Sequence, residues 1–355
     1  MGVAVTDQPK RGVFARIVRT VFLLLLLAAL AAGIVGFLHY RKFTQTPIGG
    51  ADTRIVIRPG ESLAGVVKGL REAGVSAGND VEWQILAARM RVRSKMQVGE
   101  YAVLGKMTPA ELLLNIAEGK VIQYKFTIVE GWNMRELRAA LKTAPHMQHL
   151  LEMTGDKALM QQLDRPREQP EGRFLPETYA YTNDTTDIAL LSRAAKAMDK
   201  ALAQAWDHRD PTLSLQTPDQ ALILASIVEK ETGVPEERAK IAGVFIRRLQ
   251  TGMKLETDPT VIYGMGGRYN GTITKRDLIV DTPYNTYTRS GLPPTPIAMP
   301  GRAALQAATH PEAGTALYFV ASGSGGHVFS ATLSEHNAAV AHYVKLQRDK
   351  RQQQQ

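Results

Sequence analysis

Between Val21 and Leu38 the chain runs for 18 residues without a charge. A stretch of this length reaches the lower limit for a helix that crosses a bilayer. It divides everything before it from everything after it. Lys10, Arg11, Arg16 and Arg19 precede the run, and Arg41 and Lys42 close it. Ala29-Leu30-Ala31 has the small-residue pattern of a signal-peptide cleavage site, but the apolar run continues past it through Ile34, Val35, Phe37 and Leu38. An uncleaved anchor is therefore expected. The basic flank before the run puts the N-terminus in the cytoplasm by the positive-inside rule, and the basic residues after it make that orientation signal only moderate. The expected order is a cytoplasmic N-terminus (1–20), a transmembrane helix (21–40) and a linker (41–53). The rest of the chain then lies beyond the membrane.

The remainder is long enough for a large body. Of the 355 residues, 44% are hydrophobic and 22% charged, so most of the chain can bury a core. There are no cysteines, which excludes a disulfide scaffold, a thiol nucleophile and a cysteine zinc site. The net charge of +9 is spread along the chain and concentrates only at the two ends. No run interleaves basic and aromatic residues as a nucleic-acid platform does, so no nucleic acid is expected. His310, His327 and His336 fall in the last segment without metal-ligand spacing. No metal and no cofactor are expected.

After the linker, local signals follow one another closely. Arg54–Arg58 reads as a strand, Pro59-Gly60 as a turn, and Ser62 as the cap of a helix to about Ala73. Val81–Arg91 reads as a helix, Val98–Val103 as a strand, and Thr108-Pro109-Ala110-Glu111 as a capping box with proline at the first helical position. A weak internal repeat appears. Gly60 matches Gly131, Leu63 matches Met134, Val66 matches Leu137, and Leu70 matches Leu141. The first unit, with PGESL, looks like the start of a LysM-type glycan-binding module.

The densest chemical signal is Thr217–Gly233. Thr217 is a good N-cap, Pro218 suits the next position, and Gln220 can complete a capping box. Ala221–Val228 carries no charge and one hydroxyl, so it reads as a helix buried on all sides. Glu229, Lys230 and Glu231 follow, and Gly233 suits a C-cap. A carboxyl at the end of such a helix is disfavoured from ionising by desolvation and by the negative end of the helix dipole. A carboxyl protonated near neutral pH is what a general acid requires. Long helices are also expected over Asp187–Trp206, Pro235–Leu249 and Ser334–Lys350. Ala316–Ala321 and Val328–Ala331 read as a hairpin turned by Gly323–Gly326. Leu255–Tyr269 and Asp281–Gly301, rich in Gly, Pro, Thr and Tyr, read as long functional loops. Their amides, hydroxyls and rings suit a sugar chain.

Five motifs in order carry a resemblance: ASIVEKET (225–232), LETDPTVIYGMG (255–266), DTPYNTYTRSGLPPTPIAMPG (281–301), HPE (310–312) and YFVASGSGGHVFSATLSEHN (318–337). Together they resemble the YceG/MltG-like endolytic murein transglycosylases. The resemblance implies a bacterial inner-membrane protein with a periplasmic body that cuts nascent peptidoglycan strands internally, between N-acetylmuramic acid and N-acetylglucosamine, leaving 1,6-anhydro-muramic ends. It implies an α+β fold with a small LysM-like subdomain (54–125), a mainly helical, lysozyme-like catalytic domain with a C-terminal β-hairpin (126–345), and a tail (346–355). It also implies association with the wall-synthesis machinery, penicillin-binding proteins in particular. Glu231, before Thr232-Gly233, resembles the Glu-Ser/Thr-Gly signature of lysozyme-like transglycosylases and is the expected catalytic acid. Glu229, Glu177 and Asp258 are the supporting or alternative carboxylates, and Tyr284, Asn285, Tyr287 and Thr288 the expected saccharide contacts. Two rival readings are a muramidase on the same substrate and a non-catalytic, membrane-anchored wall-binding scaffold.

Overall fold

Local rules account for most elements of the structure, a computed structural model that describes residues 11–353, with side chains over 14–352. The expectations for residues 1–10 and for Gln354 and Gln355 lie outside the described residues. The apolar run is part of one helix, α1 (Arg11–Gln45), in which the most apolar 18-residue window has a mean hydropathy of 2.9 and no buried residue. An exposed stripe this apolar is compatible with a lipid environment by length and composition.

The chain divides into two units, residues 1–123 and 124–355. In the first, β1 (Thr53–Ile57) leads to α2 (Leu63–Glu72), capped by Ser62, and α3 (Asp80–Arg89), capped by a complete Asn79/Glu82 box. Strand β2 (Gly99–Val103) pairs antiparallel with β1, and α4 (Pro109–Ala117) opens with the Thr108/Glu111 box. Its core gathers Leu63, Val66, Leu70, Trp83, Tyr101 and Leu112, and Phe43 from the end of α1 meets Trp83 edge-on at 5.3 Å.

The second unit opens with β3 (Tyr124–Thr127) and α5 (Met134–Lys142). Here the internal repeat has a structural counterpart. Gly60 and Gly131 sit at φ 77° and 78°, a left-handed turn that glycine takes without steric cost. Leu63, Val66 and Leu70, and their partners Met134, Leu137 and Leu141, are all buried. Then follow β4 (Met147–Gln148), α6 (Asp156–Gln162), β5 (Thr178–Tyr181), β6 (Thr185–Thr186) and the long α7 (Asp187–Asp207). Strand β3 pairs antiparallel with β5, and β4 parallel with β6.

Helix α8 (Pro218–Glu231) is the centre of the second unit. Ala221, Leu222, Leu224, Ala225, Ser226, Ile227 and Val228 are buried, with Ile223 only partly so. Each large aliphatic side chain in that set contributes about 1.5–3 kcal/mol on burial. The buried Ser226 hydroxyl is satisfied twice: it donates to the Ile223 carbonyl at 2.7 Å and accepts from the Ile297 N–H at 3.0 Å. Two expected caps differ. Gln220 reaches the N–H of Gln216 at 2.6 Å, not that of Thr217, so the box is only half made. The helix stops at Thr232, whose backbone is extended (φ −144°), and Gly233 takes no left-handed cap.

Around α8 pack α9 (Arg238–Gln250), α10 (Asp258–Met265) and α12 (Arg302–Thr309), and α11 (Lys275–Ile279) packs on α10. Helix α10 corrects the expectation of an open loop over Leu255–Tyr269: Pro259 sits in its first turn, and Thr260 and Val261 are buried. Strands β7 (Tyr318–Ala321) and β8 (His327–Ser330) pair antiparallel, and α13 (Leu333–Gln353) ends the described chain. Helix α12 went unread because its signal is short and follows Pro300-Gly301 directly.

Candidate active site

Glu231, the last residue of α8, opens onto a cavity of about 430 Å³ whose walls come from distant parts of the chain. Helix α10 contributes Asp258, the loop after α11 contributes Tyr287, and β7 and β8 contribute Tyr318, Phe319 and His327. The Glu231 side chain is partly exposed to this cavity, while its carboxyl is surrounded by protein. Burial pushes the carboxyl up to about 7; the Asp258 charge adds to the rise, and the Thr257 hydroxyl and His327 oppose it.

Thr257 is the partner that sequence reasoning missed. It occupies the N-cap of α10, yet its hydroxyl makes no capping bond and donates to Glu231 Oε1 instead. A threonine before Asp-Pro signals a helix start, and nothing local announces that the hydroxyl is diverted. Its backbone is pinned from behind: the Thr257 N–H donates to Thr286 Oγ1 at 3.1 Å, and Thr260 and Thr286 share a 2.8 Å hydroxyl contact.

The four carboxylates separate cleanly. Asp258 shares the cavity with Glu231 and accepts from the Tyr287 hydroxyl at 2.6 Å. Glu229 and Glu177 face the N-terminus of α12. Glu229 accepts from the Gly301 N–H at 2.8 Å, and Glu177 pairs with Arg302 at 2.7 Å. A helix N-terminus, with its unpaired N–H groups and positive dipole end, favours carboxylates. Two residues apart on α8, Glu229 and Glu231 point about 200° apart, so one buttresses α12 while the other meets the cavity.

The loop residues also divide. Tyr287 lines the Glu231 cavity, and Tyr284 lines a second cavity of about 600 Å³. Asn285 and Thr288 line neither. Asn285 is 1% exposed and spends its amide inside the loop, donating to the Leu278 and Val280 carbonyls at 3.0 and 2.8 Å and accepting from the Tyr287 N–H. Thr288 donates to Asp281 at 2.7 Å. These two residues shape the loop that presents the tyrosines.

His327 is held by Glu237, which accepts from the His327 N–H and meets its Nδ1, both at 2.7 Å. This clip fastens β8 against the start of α9. A second buried carboxyl, Glu171, was not singled out from the sequence. It is 6% exposed, and burial pushes it up to about 7. Among the described residues, no group of three or more His, Asp or Glu side chains has the geometry of a metal site.

The chain as a whole has counterparts among known proteins. An endolytic murein transglycosylase of Bacillus subtilis (strain 168) is 28% identical over 274 residues, covering 72% of this chain and 76% of that protein. One of Streptococcus pneumoniae (serotype 2, strain D39) is 34% identical over 180 residues, covering 49% of this chain. That match spans only 32% of the pneumococcal protein. A crystal structure of a YceG-like protein from Listeria monocytogenes aligns with a TM-score of 0.54 at 27% identity, over 81% of this chain and 98% of that one. Residues 55–342 match the YceG-like family, and the chain belongs to it.

Proposed function

We propose that this protein is an endolytic lytic transglycosylase of peptidoglycan, with Glu231 acting first as acid and then as base. One observation carries the reading: among the carboxyls of this cavity, that of Glu231 is held near neutrality by burial and accepts from the Thr257 hydroxyl. Protonated Glu231 gives its proton to the glycosidic oxygen between N-acetylmuramic acid and N-acetylglucosamine, and the bond from that oxygen to C1 breaks. The carboxylate then takes the proton of the muramoyl C6 hydroxyl, whose oxygen closes onto C1 as a 1,6-anhydro ring. Glu231 ends protonated, and no water is consumed. A folded-state value near the working pH serves both half-reactions. Tyr287 and Tyr318 offer rings for sugar faces, and Asp258 offers a negative charge toward a developing oxocarbenium ion.

In this reading α1 is a single-pass anchor with the body on the periplasmic side, and the unit built from β1, α2, α3, β2 and α4 is a LysM-like module that binds glycan. Penicillin-binding proteins are the partners that a strand-terminating activity of this kind would meet. The test is mass spectrometry of the products formed from nascent, uncrosslinked glycan. Wild type should give anhydro-muramic ends, and Glu231→Gln almost none. The muramidase reading draws on Asp258, a second carboxylate in the same cavity. Reducing muramic ends in place of anhydro ends would favour it and overturn ours.

A further inference from the structure

The second cavity has no part in the chemistry above. Its most enclosed polar group is Glu171, which accepts from the Met134 N–H at 3.1 Å and from the Tyr263 hydroxyl at 3.0 Å. Tyr263 meets Tyr284 edge-to-face at 4.7 Å, and the Tyr284 hydroxyl pairs with Thr295 at 2.8 Å. The wall is thus two aromatic rings held by hydrogen bonds at their far ends. That arrangement presents rigid apolar faces beside polar groups, as sugar recognition needs.

The charges in this cavity are unbalanced. Arg138 is occupied by Asp156 at 2.7 Å and by the carbonyls of Leu151 and Thr154. Arg135 also lines the cavity, is exposed, and has no ion-pair partner among the described residues. Its guanidinium lies 3.7 Å from where a side chain at Gly267 would begin. The Glu171 carboxyl, held up to about 7 by burial, carries less than a full charge at neutral pH. The unpaired charge at this end is therefore positive.

Helix α10 relates the two cavities. Asp258, at its start, lines the Glu231 cavity, and Tyr263 lines the second. Five residues at 1.5 Å rise separate them by about 7.5 Å along the axis. The loop does the same, with Tyr287 on one side and Tyr284 on the other. Five positions on a helix also turn through about 140°, so a strand that occupies both cavities passes around α10 and its loop.

From this arrangement we infer that the cavity walled by Tyr263 and Tyr284 is a second subsite for the same glycan strand, taking a sugar unit whose carboxylate-bearing substituent is recognised by Arg135. The inference rests on the glycan reading of Glu231. Two sources supply that carboxylate: the lactyl group of a strand stripped of peptides, or the peptide stem of an intact strand. Glu171 acts here as a positioning residue, fixing the Tyr263 ring.

The experiment measures binding of soluble, uncrosslinked strands to full-length Glu231→Gln protein in detergent, with and without Arg135→Gln. Three probes are used: peptide-bearing strands, stripped strands with free lactyl carboxylates, and a neutral chitooligosaccharide. Arg135→Gln should weaken a carboxylate-bearing strand about fivefold, the size of one partly exposed ion pair. The neutral oligosaccharide should bind unchanged. Loss confined to peptide-bearing strands assigns the stem, loss confined to stripped strands assigns the lactyl group, and loss with both assigns either carboxylate. Equal affinity for all three probes before and after the substitution overturns the inference, as does an equal loss with the neutral probe. Arg135 is exposed, so an unchanged melting temperature verifies the fold. Tyr284→Phe, which keeps the ring and removes its hydroxyl, is a second probe and should weaken all three ligands. If the glycan reading itself is wrong, Glu231→Gln leaves product formation intact; if only this inference is wrong, Glu231→Gln stops turnover and Arg135→Gln leaves binding untouched.

Discussion

Replacing Glu231 by Gln should stabilise the protein, and only at neutral and alkaline pH. The carboxyl moves from its ordinary 4.5 to about 7 on folding. Below pH 4.5 it is protonated in both states and contributes no difference. As pH rises from 4.5 to 7, the unfolded chain ionises first, and the folded state loses stability through this group. Above 7 the loss is constant. A rise of this size corresponds to about 3 kcal/mol at 1.36 kcal/mol per pH unit, an upper bound because the surroundings relax around the charge. Glutamine removes the penalty, keeps an oxygen for the Thr257 hydroxyl, and places its amide N–H groups in the cavity that holds Asp258. At roughly 2–4 °C per kcal/mol for a domain of this size, the melting temperature should rise by about 6–12 °C at pH 8 and hardly at all at pH 4.5. Near-UV circular dichroism melts of both full-length proteins, run at the two pH values, measure this. Glu171 titrates in both proteins, so its contribution cancels. A gain equal at both pH values, or a wild type more stable at pH 8, would refute the account of a carboxyl raised by burial.

Thr257→Val removes a hydrogen bond that favours the ionised carboxyl, so the alkaline limb of activity should move to higher pH. A bond of this charge-assisted kind contributes about 1.5–3 kcal/mol to the ionised form, and a limb that stays in place would contradict the Thr257 contact. Asp258→Asn removes a negative charge that raises the Glu231 value, so the same limb should move the other way; a pH–rate profile separates the two variants by sign. Gly172→Ala should destabilise by more than about 1–2 kcal/mol from its left-handed backbone alone (φ 77°), because the new methyl would also lie 2.4 Å from Pro296 Cβ. A denaturant melt reads that loss, and an unchanged midpoint would mean that the loop beside Glu171 shifts freely.

What could be read from the chain was what its local rules control. Capping boxes at Thr108 and the all-apolar face of α8 announce themselves within a few residues, and both are present. The gap between α9 and α11 was harder. Glycine, proline and threonine there suggest loops, yet Pro259 at a helix start and buried Val261 make α10. At the site, Glu231 and Asp258 could be named because carboxylates stand out. Asn285 was named for its chemistry but is consumed by backbone carbonyls, a fate set by the fold of a loop. Thr257 and Glu171 were missed for the complementary reason. Their partners, Glu231 and Tyr263, lie 26 and 92 residues away in sequence, and no spacing rule reaches that far.

The Glu237–His327 clip has a consequence in time. The ribosome delivers α8 roughly a hundred residues before β8, a delay of about 5–20 s at ordinary synthesis rates. Until β7 and β8 arrive and His327 is fastened, Glu231 lacks one wall of its cavity and stays wet. A wet carboxyl ionises near its ordinary 4.5 and holds no proton to give at neutral pH. A half-made chain should therefore hold this proton less well, because the wall that β7 and β8 supply is still missing. A protein cut before Tyr318 should keep α8 helical and yet titrate Glu231 at a lower pH; an unchanged value near 7 in that fragment would show that the burial is complete without this wall.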